Sequence, residues 1–245
     1  MNCKNCGNHV VENFCSHCGQ KSNTRRIDFS NFFSEFSESL FQINKGFFYT
    51  LKELSVRPGK SINEFLNGKR KRHFKPIAYL LTLSTVYFLT TQFTNQNTLI
   101  DDVIDGWMNG ATDQDSKVEI PKIASWFLTN YAYSTLLLLP IFSLASYISF
   151  FKFGKTYLEH VVLNSYITGH QAIFYSLFVV LGTAIDSHVM EALPVFIAVS
   201  YTFWVFWQFF SEGNRIIHIL RTVLTYVLYL IFCSLLSVTL MINGI

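Results

Sequence analysis

The residues of this chain that are best suited to chemistry are four cysteines close to its start. They are Cys3, Cys6, Cys15 and Cys18, in the pattern C-x2-C-x8-C-x2-C, with a glycine after each pair. Each C-x2-C turn presents two sulfurs to one ion, and two such turns supply the four thiolates of a closed tetrahedral zinc site. Because some twenty residues bury little core, the metal would supply much of the folding free energy. The pattern predicts a zinc ribbon with a structural zinc ion and no open position for a substrate.

Paired cysteines also form disulfides or redox centres, and both alternatives are weaker here. Disulfides need an oxidising compartment, whereas the charge pattern described below predicts that this segment is cytoplasmic. A redox C-x2-C normally accompanies a βαβ pattern, which the sequence lacks. The fifth cysteine, Cys233, lies within an apolar run and is expected to pack there as a small apolar residue.

A second group of polar residues lies at the start of an apolar run in the middle of the chain. This group, the polar wedge, comprises Glu159, His160, Asn164, His170 and Gln171. At helical spacing these side chains fall on two adjacent lines, so we expect them to face the interior of a helical bundle or its cytoplasmic edge. Ionisable groups at membrane depth are candidates for an ion or proton path, but polar residues also hydrogen-bond membrane helices together. The structural role is favoured, and no catalytic residue is predicted.

The elements that must position these residues divide the chain by charge. Of the 19 Lys and Arg residues, 13 lie in the first 75 positions. Five apolar runs follow, each close to the ~20 residues that cross a bilayer, at about 77–93, 126–151, 167–185, 191–210 and 222–242. We therefore predict an all-α membrane protein with a zinc ribbon at 1–24, basic amphipathic cytoplasmic helices at 25–75 and a bundle of about five transmembrane helices at 76–245.

The amphipathic segment carries phenylalanines and leucines at three- and four-residue steps between residues 29 and 54. This apolar face either lies in the membrane interface or packs on the bundle, and the sequence leaves both open. Arg57-Pro58-Gly59 predicts a turn, followed by a short helix over 61–66.

The segment ends in a cluster of cations that we call the basic loop (residues 68–75). Its charged members are Lys69, Arg70, Lys71, Arg72 and Lys75. We expect them to contact anionic lipid headgroups and to help fix the topology, with His73 and Phe74 extending the first span towards the interface. A nucleic-acid partner is not expected, because no recognition module accompanies the run.

The orientation in the membrane follows from the distribution of cations among the loops. The loops at 1–75, 152–158 and 211–221 hold 13, two and two Lys/Arg residues. The loop at 94–125 holds two lysines against six acidic residues, and the turn at 186–190 holds no Lys or Arg. The positive-inside rule therefore predicts a multi-pass protein of the cell (inner) membrane, with its N-terminus in the cytoplasm and its C-terminus outside.

Three stretches of the chain carry a resemblance to a known family. They are FCSHCGQK at 14–21, GFFYTLKELSVRPGKSINEFLNGKRKRHFK at 46–75 with Pro76 after it, and YLEH at 157–160. In this order they resemble bacterial integral membrane proteins with a zinc-ribbon head that are catalogued only as a domain of unknown function. The resemblance implies a membrane location and carries over no catalytic residues.

The function expected from these features is that of a non-enzymatic membrane scaffold or adaptor. A cytoplasmic protein partner would bind through the zinc ribbon, and the bilayer would meet the basic loop. The alternative is a small transporter or channel that uses Glu159, His160 and His170, although an odd helix count and the lack of an internal repeat argue against it. A lipid-acting membrane enzyme, with Glu159 and His160 as acid and base, is the weakest of the three.

Overall fold

The computed structural model describes residues 1–24, 26–27, 45–98, 131–185 and 188–242. Over these ranges the chain is all-helical, as predicted, with seven α-helices and no β-strand. The helices are α1 (Lys45–Val56), α2 (Pro58–Leu66), α3 (Pro76–Thr94), α4 (Tyr131–Ser149), α5 (Tyr157–Gly182), α6 (His188–Phe209) and α7 (Arg215–Ile242). The described residues do not include 28–44, which hold most of the phenylalanines of the amphipathic segment. They also do not include the acidic part of the loop at 99–130 or Asp186.

The centre of the fold is α5, which packs most extensively on α3 and also contacts α1, α2, α4 and α6. Its first turn is fixed by a capping box: the hydroxyl of Thr156 accepts the Glu159 amide, and the Glu159 carboxylate accepts the Thr156 amide. This cap starts the helix ten residues before the apolar run at 167–185. The polar wedge therefore lies on regular helix, beside the bundle core.

The predicted turn at Arg57-Pro58-Gly59 is wrong for two of its three residues, because Pro58 and Gly59 belong to α2. Pro58 is the first residue of α2. A proline costs no hydrogen bond there, because the N–H group that it lacks would have no partner within the helix. Gly59 lies in the same turn and is buried against α6. A Cβ at position 59 would stand 2.4 Å from the backbone nitrogen of Phe209 and 2.6 Å from the Val205 carbonyl oxygen. Glycine is therefore required by the approach of two helices, and not by a turn.

The outer surface of the bundle is strongly apolar. Exposed large hydrophobic side chains occur on α3 to α7, and Phe93 is 85% exposed. Among the described residues, two helices are long and apolar enough to cross a membrane, over Ala192–Phe209 and Arg215–Thr239, and only 11% of the second stretch is buried inside the fold. The helices α3 and α5 are less apolar than these two, because hydroxyl, amide and ionisable side chains interrupt their apolar sequence. The five-span bundle thus stays a prediction, whereas two candidate spans are found.

Candidate functional site: the cysteine head and the polar wedge

The four cysteines come together in a compact head formed by residues 1–24. Each turn is closed by a short bridge, Asn2 with His9 around the first cysteine pair and Phe14 with Lys21 around the second. In each turn a glycine with positive φ donates its amide to the carbonyl of the first cysteine, Gly7 to Cys3 at 2.8 Å and Gly19 to Cys15 at 2.7 Å. Positive φ is the backbone state that glycine adopts at little cost. Both turns therefore point their sulfurs to one place.

The geometry of the sulfurs fits a tetrahedral metal ion. All four Sγ atoms lie within 4.8 Å of one another, with Cys3–Cys18 and Cys6–Cys15 pairs at 3.6 Å. Sulfurs placed 2.3 Å from a zinc ion at tetrahedral angles are about 3.8 Å apart. The separations are far longer than the roughly 2.05 Å of a disulfide bond, and all the cysteines are free thiols. The cluster can hold a metal ion, as the spacing predicts.

The pKa values of these thiols differ from one cysteine to the next. The hydrogen bond from the Cys6 amide, ahead of other contacts, lowers the pKa of Cys3 to about 7. The Asn8 amide also acts to lower the pKa of Cys6, but burial and the neighbouring thiols outweigh it and raise that pKa to about 12. Repulsion among thiolates keeps the cluster from ionising fully on its own, and a divalent cation at its centre would remove that penalty.

The head is attached to the basic loop by a glutamine that the sequence analysis did not single out. The Gln20 side-chain amide donates to the Gly68 carbonyl at 2.8 Å, and its oxygen accepts the amides of Arg70 and Lys71 at 3.0 and 3.1 Å. Gln20 is only 5% exposed, so these bonds form in a protected place. The only sequence signal for it was its position directly after the second knuckle, within the FCSHCGQK stretch.

The cations of the basic loop are divided between protein contacts and solvent. Lys69 pairs with Glu64 at 3.5 Å, and the Arg70 guanidinium lies over the Phe65 ring at 5.5 Å. The side chains of Lys71 and Arg72 are exposed, whereas His73 and Phe74 are buried in the bundle and do not extend towards an interface. The loop is thus a contact surface for the head as well as a cluster of charge.

Glu159, the carboxylate of the polar wedge, is engaged by the chain that leaves the head. Arg26 donates from Nε to Oε1 at 2.9 Å and from its terminal nitrogen to Oε2 at 2.7 Å, a two-point pair. Arg26 also donates to the Gly154 carbonyl at 2.8 Å. Burial acts to raise the pKa of Glu159, but the hydrogen bonds from Arg26 and Thr156 outweigh it and hold that pKa below its ordinary value.

The two residues next along the wedge bond to a neighbouring helix. His160 Nδ1 lies 2.9 Å from the Ser146 hydroxyl of α4, and the Asn164 amide donates to the same hydroxyl at 2.8 Å. Both side chains are fully buried. His160 Nε2 and Asn164 Oδ1 find no hydrogen-bond partner among the described residues. Glu159 and His160, adjacent in sequence, therefore have different neighbours.

His170 and Gln171 connect the wedge to the remaining helices. His170 Nδ1 meets the Tyr79 hydroxyl of α3 at 2.9 Å, and its Nε2 lies 3.3 Å from the Ser55 hydroxyl of α1. Gln171 donates to the Ala198 carbonyl at 2.8 Å and to the Thr202 hydroxyl at 2.9 Å, both on α6. These two residues therefore link α5 to three other helices.

Comparison with known protein families identifies a match in the first half of the chain. Residues 44–88, which span α1, α2, the basic loop and the first part of α3, match the model of a family described as protein of unknown function (DUF3667). No curated protein and no solved structure matches the chain. The resemblance to a domain of unknown function is thus supported over residues 44–88, while the zinc ribbon and the bacterial origin stay predictions.

Proposed function

We propose that this protein is a multi-pass membrane scaffold whose zinc-bound head forms a fixed cytoplasmic platform for a partner protein. In this proposal the bundle crosses the inner membrane five times, with the N-terminus in the cytoplasm, and anionic lipids meet the exposed cations of the basic loop. The metal is zinc, because four thiolates at tetrahedral spacing suit it. Its role is structural, since four cysteines fill the coordination sphere.

The observation that carries this proposal is the attachment of the head to the bundle. Gln20 bonds to the backbone of the basic loop, and Arg26 forms a two-point pair with Glu159. A head that only helped the chain to fold would need no such attachment. A head held at two positions is presented in one orientation, and its exposed apolar side chains include Val11 and Phe14.

The membrane location draws support from the surface of the bundle. Soluble monomers seldom expose apolar patches larger than a few hundred Å², whereas five helices here expose large hydrophobic side chains. The described cations lie in the head, in and between α1 and α2, in the basic loop, in the short connection before α5 and at the start of α7. This distribution agrees with one cytoplasmic end.

The experiment that tests the scaffold uses the full-length protein, cross-linked in native membranes and then captured. Proteins enriched with the wild type and with Cys233→Ser, but lost with Cys15→Ser, would support docking through the head. Equal captured sets for all three would contradict it. Membrane fractionation of Cys15→Ser checks that the loss does not reflect a missing bundle.

A second candidate, a transporter or channel, is favoured by one observation. The buried His160 Nε2 and Asn164 Oδ1 atoms lack partners within the described part of the chain, and buried polar atoms usually have partners or water. If they line a hydrated path, Asn164→Cys will react with a small water-soluble thiol reagent, as located by peptide mapping. Ala145→Cys, at a fully buried position on α4, is the control, and equal protection at both positions would exclude the path.

A further inference from the structure

A groove runs between α6 and α7 near the turn that joins them. Its volume is about 390 Å³, and it is lined by Phe203, Trp204, Trp207, Gln208 and Ile219. Both tryptophans are partly exposed, at 39% and 40%. Both helices are candidate membrane spans. Tryptophan is the residue that membrane proteins concentrate at the level of lipid headgroups, so the groove has the composition of an interfacial site.

A cation is fixed at one end of this groove. The Arg215 guanidinium donates to the Trp207 carbonyl at 2.8 Å and lies 5.1 Å from the centre of the Trp207 ring. These two contacts hold the group in place, and the side chain is exposed. A guanidinium carries five N–H donors in a planar fork that matches phosphate oxygens. Arg215 is therefore preorganised for an anion and keeps donors available for it.

The lining of the groove also includes an acceptor without a donor. Gln208 Oε1 is buried and has no hydrogen-bond partner in the described ranges. A buried acceptor of this kind calls for a donor such as a hydroxyl group. None of the five lining residues is acidic, and the carboxylate of the joining turn, Glu212, is exposed to solvent.

We propose that this groove binds one anionic glycerophospholipid with a hydroxyl-bearing headgroup. The phosphate accepts hydrogen bonds from Arg215, a headgroup hydroxyl donates to Gln208 Oε1, and an acyl chain covers Phe203, Trp204 and Ile219. The inference rests on the membrane location in the proposed function. The proposed function has anionic lipids meet the basic loop in general. This inference goes further, because it assigns one lipid molecule to a groove between α6 and α7.

The test uses the quenching of tryptophan fluorescence by lipids with brominated acyl chains. Full-length protein is reconstituted in mixed vesicles of phosphatidylcholine and phosphatidylglycerol, with the bromine on one of the two lipids at a time. We expect a preference for phosphatidylglycerol of roughly tenfold, from one charge-assisted contact. Arg215→Gln should reduce that preference to near one. Lys152→Gln removes an exposed cation of the neighbouring connection and should leave it unchanged.

The other outcomes separate the inference from the proposed function. The preference should disappear in a Trp204→Phe/Trp207→Phe variant, because these two tryptophans line the groove. Equal quenching by both lipids, or the same preference in Arg215→Gln, overturns the lipid site while the protein stays in vesicles. Loss of the preference with excess inorganic phosphate also overturns it, in favour of a soluble anion. Failure of the protein to enter vesicles at all contradicts the membrane location instead.

Discussion

His73 shows how a single side chain in the basic loop acquires a defined protonation state. Its Nδ1 lies 2.8 Å from the Lys69 carbonyl oxygen, which can only accept, so Nδ1 carries the proton. Nε2 then accepts the Ser61 hydroxyl at 3.0 Å. Burial lowers the pKa of His73 by more than the Lys69 carbonyl and the nearby carboxylates of Glu64 and Glu53 raise it. The folded state therefore holds this histidine neutral.

A pH dependence of stability follows from this lowered pKa. Above the ordinary histidine pKa of 6.5, His73 is neutral in both the folded and the unfolded chain, so its contribution to stability is complete there. Below that pH the unfolded chain binds the proton first, and stability falls until the folded pKa is reached. We expect the Tm of the detergent-solubilised protein to decrease on acidification below about pH 6.5, and His73→Asn to weaken that decrease.

The control for His73 is the pH profile of a variant at an exposed histidine. His9→Asn removes such a residue from the head and should leave the decrease of Tm with acidification unchanged. A wild-type slope retained in His73→Asn would assign the acid sensitivity to the other buried histidines. The prediction would then be wrong.

The four cysteines support a separate prediction about the metal. Cys15 is buried and contributes one of four converging sulfurs, so Cys15→Ser leaves three ligands. We expect the purified wild type and Cys233→Ser to contain about one zinc per chain, measured by elemental mass spectrometry, and Cys15→Ser to contain far less. Equal zinc in Cys15→Ser would place the ion elsewhere, and another metal in the wild type would correct its identity.

At the scale of elements, the approach of α2 to α6 depends on the missing side chain of Gly59. A methyl group there would collide with backbone atoms of Phe209 and Val205, which cannot move away as a flexible side chain can. We expect Gly59→Ala to lower the free energy of unfolding by about 1–3 kcal/mol. Gly182→Ala is the matched control because no atom lies within 4 Å of its added methyl. Equal Tm values for both variants would contradict the close approach.

The contact between the head and the basic loop predicts that metal removal is felt beyond the head. The amides of Arg70 and Lys71 donate to Gln20, whereas the Phe74 amide donates to the Thr50 hydroxyl within the bundle. A chelator should therefore speed hydrogen exchange at residues 70 and 71 and leave residue 74 protected. Gln20→Ala should produce the same change with the metal still bound. Unchanged exchange at 70 and 71 after chelation would show that the loop holds its shape alone.

The elements differ in how far the sequence could define them. The cysteine spacing and the apolar runs are local patterns, and the structure brings the four cysteines together and has a helix in the described part of each of the five runs. The apolar run did not locate the start of α5, because the cap at Thr156 sets that start. Pro58 and Gly59 are predicted as a turn because both residue types favour turns, whereas the structure has them in α2. The pairing of Arg26 with Glu159 spans 133 residues, and no local pattern in one sequence encodes such a partner.

At the scale of the whole molecule, polar residues inside the bundle hold its helices together. His160 and Asn164 bond α5 to α4, His170 bonds it to α1 and α3, and Gln171 bonds it to α6. On the outside of the bundle, α3 to α7 expose large hydrophobic side chains. This arrangement, polar within and apolar without, suits a bundle that hydrocarbon surrounds.

The number of crossings has a consequence that one pair of fusions can test, because an odd number puts the termini on opposite sides. Two crossings, by α6 and α7 alone, would leave both termini on the same side. Five crossings with the basic third inside put the N-terminus in the cytoplasm and the C-terminus outside. We expect a fluorescent protein fused before Met1 to fluoresce and alkaline phosphatase fused after Ile245 to be active. Phosphatase fused after Asn214, in the turn between α6 and α7, should be inactive, since that turn is predicted to be cytoplasmic. An inactive C-terminal phosphatase beside a fluorescent N-terminal fusion would exclude the five-span bundle and leave an even number of crossings.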